Sequence, residues 1–169
     1  MTLNQFFLVK KDKKQTNNDW KENWFISESQ FSLILDAISS KLYMDTHFNI
    51  IPTIDCFASS AKRLKLCKKY ITKKEDFFNQ CYDSIEFWQN EVAYICPPVY
   101  KKTAIKALHC MKQRRIKGLF CYPVWKRQRQ YNIDDYWLGN AKKECITHYL
   151  LHINKTKYNI LAMWFDYTM

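Results

Sequence analysis

Short apolar runs that read as strands alternate along this chain with segments that read as helices. No other feature constrains the fold as much. The strand-like runs cover residues 52–57, 68–72, 91–96 and 118–122. Helices are predicted from Ser27 to about residue 42, over 103–115 and over 134–138, with short helical turns across 76–90. Two further strands, 145–153 and 158–167, flank the polar turn Asn154-Lys155-Thr156-Lys157 and predict a C-terminal antiparallel hairpin. Strands alternating with helices imply an α/β domain of three layers with a mostly parallel sheet.

The first helix carries its own start signal. Ser27-Glu28-Ser29-Gln30 fits a capping box, in which a hydroxyl and an amide exchange hydrogen bonds with the backbone. Phe31, Ile34, Leu35, Ile38 and Leu42 then fall on one helical face.

Several classes of function are excluded at once. The only glycines are Gly118 and Gly139, so neither a GxGxxG turn nor a P-loop can be written. Seven cysteines occur without a CxxC pair, which argues against zinc; no metal site is expected. Their odd number, with no leader-like segment, predicts a reducing intracellular compartment. No apolar run approaches the ~18 residues of a membrane span.

A net charge of +11 favours a polyanion as partner. Aromatics stand beside the basic runs, as expected where rings stack on bases and cations hold phosphates. Lys101, Lys102, Arg114, Arg115, Trp125, Lys126, Arg127 and Arg129 are the candidate nucleic-acid contacts. DNA is preferred to RNA, and the nucleus or a site of DNA replication is the matching location. Codon bias in an A/T-rich genome would enrich part of the same composition.

Ligands of open α/β sheets sit at the carboxyl ends of strands. Asp55, Cys96-Pro97-Pro98 and Tyr122-Pro123 are all predicted at such ends and so at one edge. Each has a plainer reading: Asp55 as a cap, Cys96 as a core filler, and Pro97-Pro98 as a strand terminator.

Three segments carry a resemblance: IDCFASSAKRLKLCKKYIT, EDFFNQCYDSIEFWQNEVAYICPPVY and KGLFCYPVW, preceded by Trp24 and Phe31. Their order and spacing resemble the phage-type Dam-like DNA N6-adenine methyltransferases, and more closely the Dam-like domain of DIRS-type retrotransposons. The likeness spans roughly residues 20–130. It implies a Rossmann-like methyltransferase sandwich, a mobile-element or viral setting, and S-adenosylmethionine as cofactor. Asp55, Phe57 and Asp76 are then the candidate cofactor contacts. Cys96, Pro97, Pro98 and Tyr100 fill the family's catalytic corner, where Asn or Asp, two prolines and an aromatic hold a flipped adenine. Here the first position is Cys96, a poor acceptor. The fourth is Val99, which cannot stack, and Tyr100 comes one residue later. The expectation is a degenerate, catalytically inactive nucleic-acid-binding domain. An active adenine methyltransferase with a divergent CPPVY corner is the second reading, and a structural subunit of a larger assembly the third.

Residues 1–24 read as a separate flexible segment before a methyltransferase-like domain at 25–169. Leu3, Phe6 and Phe7 have the spacing of the sliding-clamp-binding PIP box, and Lys10, Lys11, Lys13 and Lys14 follow. A sliding clamp is therefore an expected partner of residues 1–14.

Overall fold

The computed structural model describes residues 20–42, 50–81, 85–126 and 136–169. The clamp-binding spacing at Leu3, Phe6 and Phe7, as well as Arg127 and Arg129, lies outside the described residues.

Helix α1 (Glu28–Leu42) begins where the capping box predicts. The Gln30 amide donates to Ser27 Oγ at 3.2 Å, and the Ser27 amide donates to Gln30 Oε1 at 3.0 Å. The helix buries Phe31, Ile34 and Ile38. There follow β1 (Ile54–Ala58), β2 (Lys69–Thr72), α2 (Phe77–Cys81), α3 (Ile85–Trp88), β3 (Val92–Ile95), α4 (Lys101–Gln113), β4 (Lys117–Trp125), α5 (Tyr136–Glu144), β5 (Thr147–Leu151) and β6 (Tyr158–Asp166).

The six strands form one mixed sheet in the order β2-β1-β3-β4-β6-β5. The first four run parallel to one another, and β6 runs antiparallel to both β4 and β5. The predicted hairpin is present. Its second strand, not its first, docks on the parallel part of the sheet.

Side chains alternate between two cores. Ala93, Ile95, Phe120, Tyr122, Leu161, Met163 and Phe165 point to the face covered by α2, α4 and α5. Val92, Tyr94, Cys96, Leu119, Cys121, Ile160, Ala162 and Trp164 point to the face covered by α1. The central strand β3 is buried along its whole length, as a strand covered on both faces must be.

Helix α5 runs on to Glu144, past the expected end at 138. Two other boundaries differ from expectation, each for a physical reason. Strand β4 does not stop at Pro123 but runs on to Trp125. Its pairing with β3 ends at Phe120, so from Cys121 onward only β6 lies alongside. Proline is tolerated where one side of a strand needs no donor. The domain also starts earlier than residue 25. Trp24 is buried in the α1-side core, and Trp20 packs on Tyr158 with centroids 6.2 Å apart.

Gly118 sets the spacing of the central pair. A Cβ there would lie 2.2 Å from the Ala93 carbonyl oxygen, so only glycine lets β3 and β4 approach this closely.

Candidate functional site

Strand β1 is flanked by β2 on one side and β3 on the other. The chain leaves β1 for β2 and then crosses to β3, so the strand order reverses here. Crevices form at the carboxyl ends of strands at such a point. A cavity of about 710 Å³ lies there. Its walls come from the end of β1 (Phe57, Ser59, Ser60, Lys62), the end of β2 (Thr72, Lys73, Lys74, Asp76), the start of α2 (Phe77, Phe78) and the corner after β3 (Pro98, Tyr100). Glu22 and Asn23 close the rim, and Glu22 forms an ion pair with Lys73.

The candidate cofactor residues divide. Phe57 lines the cavity and packs on Phe77 at 5.1 Å and Phe78 at 6.0 Å, giving an aromatic wall. Asp76 lines it too. Its backbone adopts φ 61°, a left-handed conformation uncommon outside glycine, asparagine and aspartate. Its carboxylate accepts from the Phe78 amide at 3.2 Å, and its carbonyl accepts from the Gln80 amide at 3.1 Å, which starts α2. Asp55 is buried behind the wall. Its carboxylate accepts from the amides of Leu64 at 2.9 Å and Phe57 at 3.3 Å, clipping the loop after β1 to the strand. Burial pushes its pKa up to about 6, against the lowering effect of those two amides and of Lys62. Asp55 thus orders the cavity's β1 wall without facing the cavity.

The proline corner divides in the same way. Cys96 is fully buried, with Sγ 4.0 Å from the Trp24 carbonyl oxygen, on the side of α1. Burial pushes its thiol up to about 11. Its carbonyl accepts from Lys62 Nζ at 2.8 Å. Pro97 is buried, whereas Pro98 lines the cavity. The Tyr100 amide donates to the Pro98 carbonyl at 2.8 Å, a three-residue turn about Val99. The Val99 amide donates to the Lys21 carbonyl at 2.8 Å, which ties the corner to the segment before α1. Tyr100 lines the cavity, while Val99 packs against the two cores.

The basic candidates do not form one surface. Helix α4 runs from the carboxyl edge of β3 to the start of β4, so its two ends lie ~20 Å apart. Lys101 and Lys102 are exposed at its cavity end, while Arg114 and Arg115 follow its far end. Trp125 is exposed at the carboxyl end of β4 and meets Trp20 edge-on at 5.6 Å. Beside it, Lys126 Nζ donates to the Ile153 carbonyl.

Lys62, Lys73, Lys74, Phe77, Phe78, Glu22 and Asn23 line the cavity without a signal in the sequence that marks them as site residues. The lysines stood in a run that reads as a solvated surface. Glu22 and Asn23 fall in the stretch that reads as the N-terminal segment. Among the described residues, no group of His, Cys, Asp and Glu is placed to hold a metal ion, and no helix is long and apolar enough to cross a membrane. The described cysteines are all free thiols. No family model, curated protein or solved structure matches the chain.

Proposed function

We propose that the chain is a methyltransferase-like, nucleic-acid-binding domain that keeps a cofactor-type cavity and lacks the amine-binding corner of an adenine methyltransferase. The observation that carries this reading is the cavity's position. It lies at the strand-order reversal, between the β1 and β2 ends and the proline corner. Four parallel strands followed by a reversed hairpin suit the Rossmann-like methyltransferase sandwich that the resemblance implies.

The residues present fit S-adenosylmethionine. The cavity's size is within the ~300–1,000 Å³ of small-molecule sites. Phe57, Phe77 and Phe78 offer an apolar wall to a purine, and Asp76 offers a carboxylate to ribose hydroxyls. When bound, the cofactor supplies a methyl group on a sulfonium. The corner opposite is what supports an inactive reading. The Cys96 thiol faces the α1-side core, and its carbonyl is already engaged by Lys62. No polar side chain stands at that position to receive an adenine amine. The second reading draws on Tyr100, whose ring at the cavity wall could stack on a flipped base. The sheet edge around the cavity, with Lys101, Lys102 and Trp125, is the proposed nucleic-acid surface. The nuclear or replication setting and the clamp tether at residues 1–14 belong to the same proposal, supported by the spacing of Leu3, Phe6 and Phe7.

Calorimetric titration with S-adenosylmethionine tests the reading. Micromolar binding is expected, weakened about tenfold (~1.4 kcal/mol) in Asp76→Asn. Asparagine tolerates the same backbone and keeps an acceptor for Phe78, so the variant removes the charge alone. Labelled methyl transfer to duplex and single-stranded DNA is expected to stay at background. Transfer above background would replace the inactive reading with the enzymatic one. Failure to bind either the cofactor or DNA would overturn the proposal.

A further inference from the structure

Lys62 is 5% exposed and belongs to the cavity wall. A lysine ammonium carries three donors. One is spent on the Cys96 carbonyl, a neutral acceptor. Among the described residues no carboxylate pairs with it. Asp55 is near enough to interact through its charge, but accepts from the Leu64 and Phe57 amides. Glu22 pairs with Lys73 across the rim, and Asp76 accepts from the Phe78 amide. Burying an ammonium is unfavourable unless it is paired and its remaining protons find acceptors. A chain that keeps this lysine inside a cavity leaves it a role when the cavity is filled.

We propose that Lys62 is the anion-binding residue of the cavity, holding a carboxylate or phosphate oxygen of a ligand whose ring packs on Phe57, Phe77 and Phe78. The geometry is one-sided. The neutral contact to Cys96 fixes the amine beside the Pro97-Pro98 corner, in a residue that lines the cavity. The loop that carries Lys62 is held at both ends. The Lys62 amide donates to Ser59 Oγ at 3.0 Å, and Asp55 clips the Leu64 amide. The ammonium is therefore positioned before the ligand arrives, which spares the ordering cost of a mobile side chain. In terms of the cofactor reading, on which this inference rests, the anion is the methionine carboxylate. A nucleotide phosphate offers the same oxygen chemistry.

Two ligand pairs separate these sources. The full chain is titrated with S-adenosylmethionine and its decarboxylated form, and with adenosine monophosphate and adenosine. Wild type is expected to prefer the carboxylated cofactor by about tenfold or more. Lys62→Met, which keeps the length and packing of the stem, should erase that preference, and Lys62→Arg should restore part of it. A merely structural lysine would change both members of a pair alike. A folded Lys62→Met that still discriminates overturns the proposal, and so does a wild type that never discriminates. Lys62→Gln serves the same comparison if the methionine variant does not fold. If the cofactor does not bind but the monophosphate is preferred to adenosine through Lys62, the anion role stands and the cofactor reading falls. If nothing binds, both fall.

Discussion

Glu91 and Lys62 are both buried charges of one sheet, at opposite edges, and they are treated differently. Glu91 sits just before β3, at the amino edge. Its carboxylate accepts from Thr53 Oγ1 at 2.6 Å and forms an ion pair with Lys69, while the Thr53 hydroxyl accepts from the Val92 amide at 2.8 Å. Its partners all come from the protein, and they tie the starts of β1, β2 and β3 together. Lys62, beyond the carboxyl end of β1, has a carbonyl and a cavity. Unspent hydrogen-bonding capacity lies at the cavity edge, and the carboxylate at the opposite edge is fully engaged by the frame. Glu91 should therefore answer chiefly to stability measurements and Lys62 chiefly to ligands.

The hardest test of the frame is Gly118→Ala. The added Cβ has no room beside the Ala93 backbone, and backbone cannot swing away as a side chain can. A loss of about 3 kcal/mol or more is expected, seen as a fall of roughly 10 °C in melting temperature. A variant that melts within ~2 °C of wild type would mean that β3 and β4 are free to separate, and the frame would lose its rigidity.

The next effect belongs to the ligand edge and depends on pH. Burial raises the folded pKa of Asp55 from 3.8 to about 6. The folded state therefore holds the proton more tightly than the unfolded chain. The stability this provides is fully present below pH about 4 and is lost as pH rises through about 6, on the order of 2–3 kcal/mol in all. Denaturant melts of wild type and Asp55→Asn across pH 4 to 7 should differ by that slope. Parallel pH curves would remove Asp55 as the titrating group.

A paired comparison of the two buried charges comes third. Glu91→Ala should cost about 2 kcal/mol, through the charge-assisted hydrogen bond from Thr53. The Lys69 ion pair adds little, because the lysine side chain is 58% exposed. Lys62→Met should cost less, about 1 kcal/mol, because the Cys96 carbonyl loses its partner while the burden of burying an ammonium is removed. The reverse ranking in urea unfolding would make Lys62 the structural charge and Glu91 the spare one.

The frame was legible in the sequence and the working edge was less so. The start of α1 could be read because a capping box is a local device with fixed spacing. The buried strands announced themselves as apolar runs. The position of β6 between β4 and β5 could not be read, because a hairpin specifies its own pairing and not which strand meets the sheet. Pro123 misled because its tolerance depends on β3 having already ended, a tertiary fact. Tyr100 was read as aromatic but displaced, yet it lines the cavity. Lys62 was invisible because burial of a lysine leaves no mark in a lysine-rich run. Trp20 to Trp24 were set apart because a charged, polar stretch precedes them and hides their packing.

The smallest expected effect compares the two ends of α4. Each phosphate contact adds about 0.9 to the slope of log affinity against log salt on duplex DNA. Replacing Lys101 and Lys102 together by alanine should flatten that slope by about 2. Replacing Arg115 at the far end should leave it unchanged. The charge removed differs by only one unit between the two variants, so a difference in slope reports position. If Arg115→Ala flattens the slope and the lysine pair does not, the nucleic acid lies along the amino edge. The basic surface and the cavity would then serve separate ligands, and the carboxyl edge would lose its claim to both.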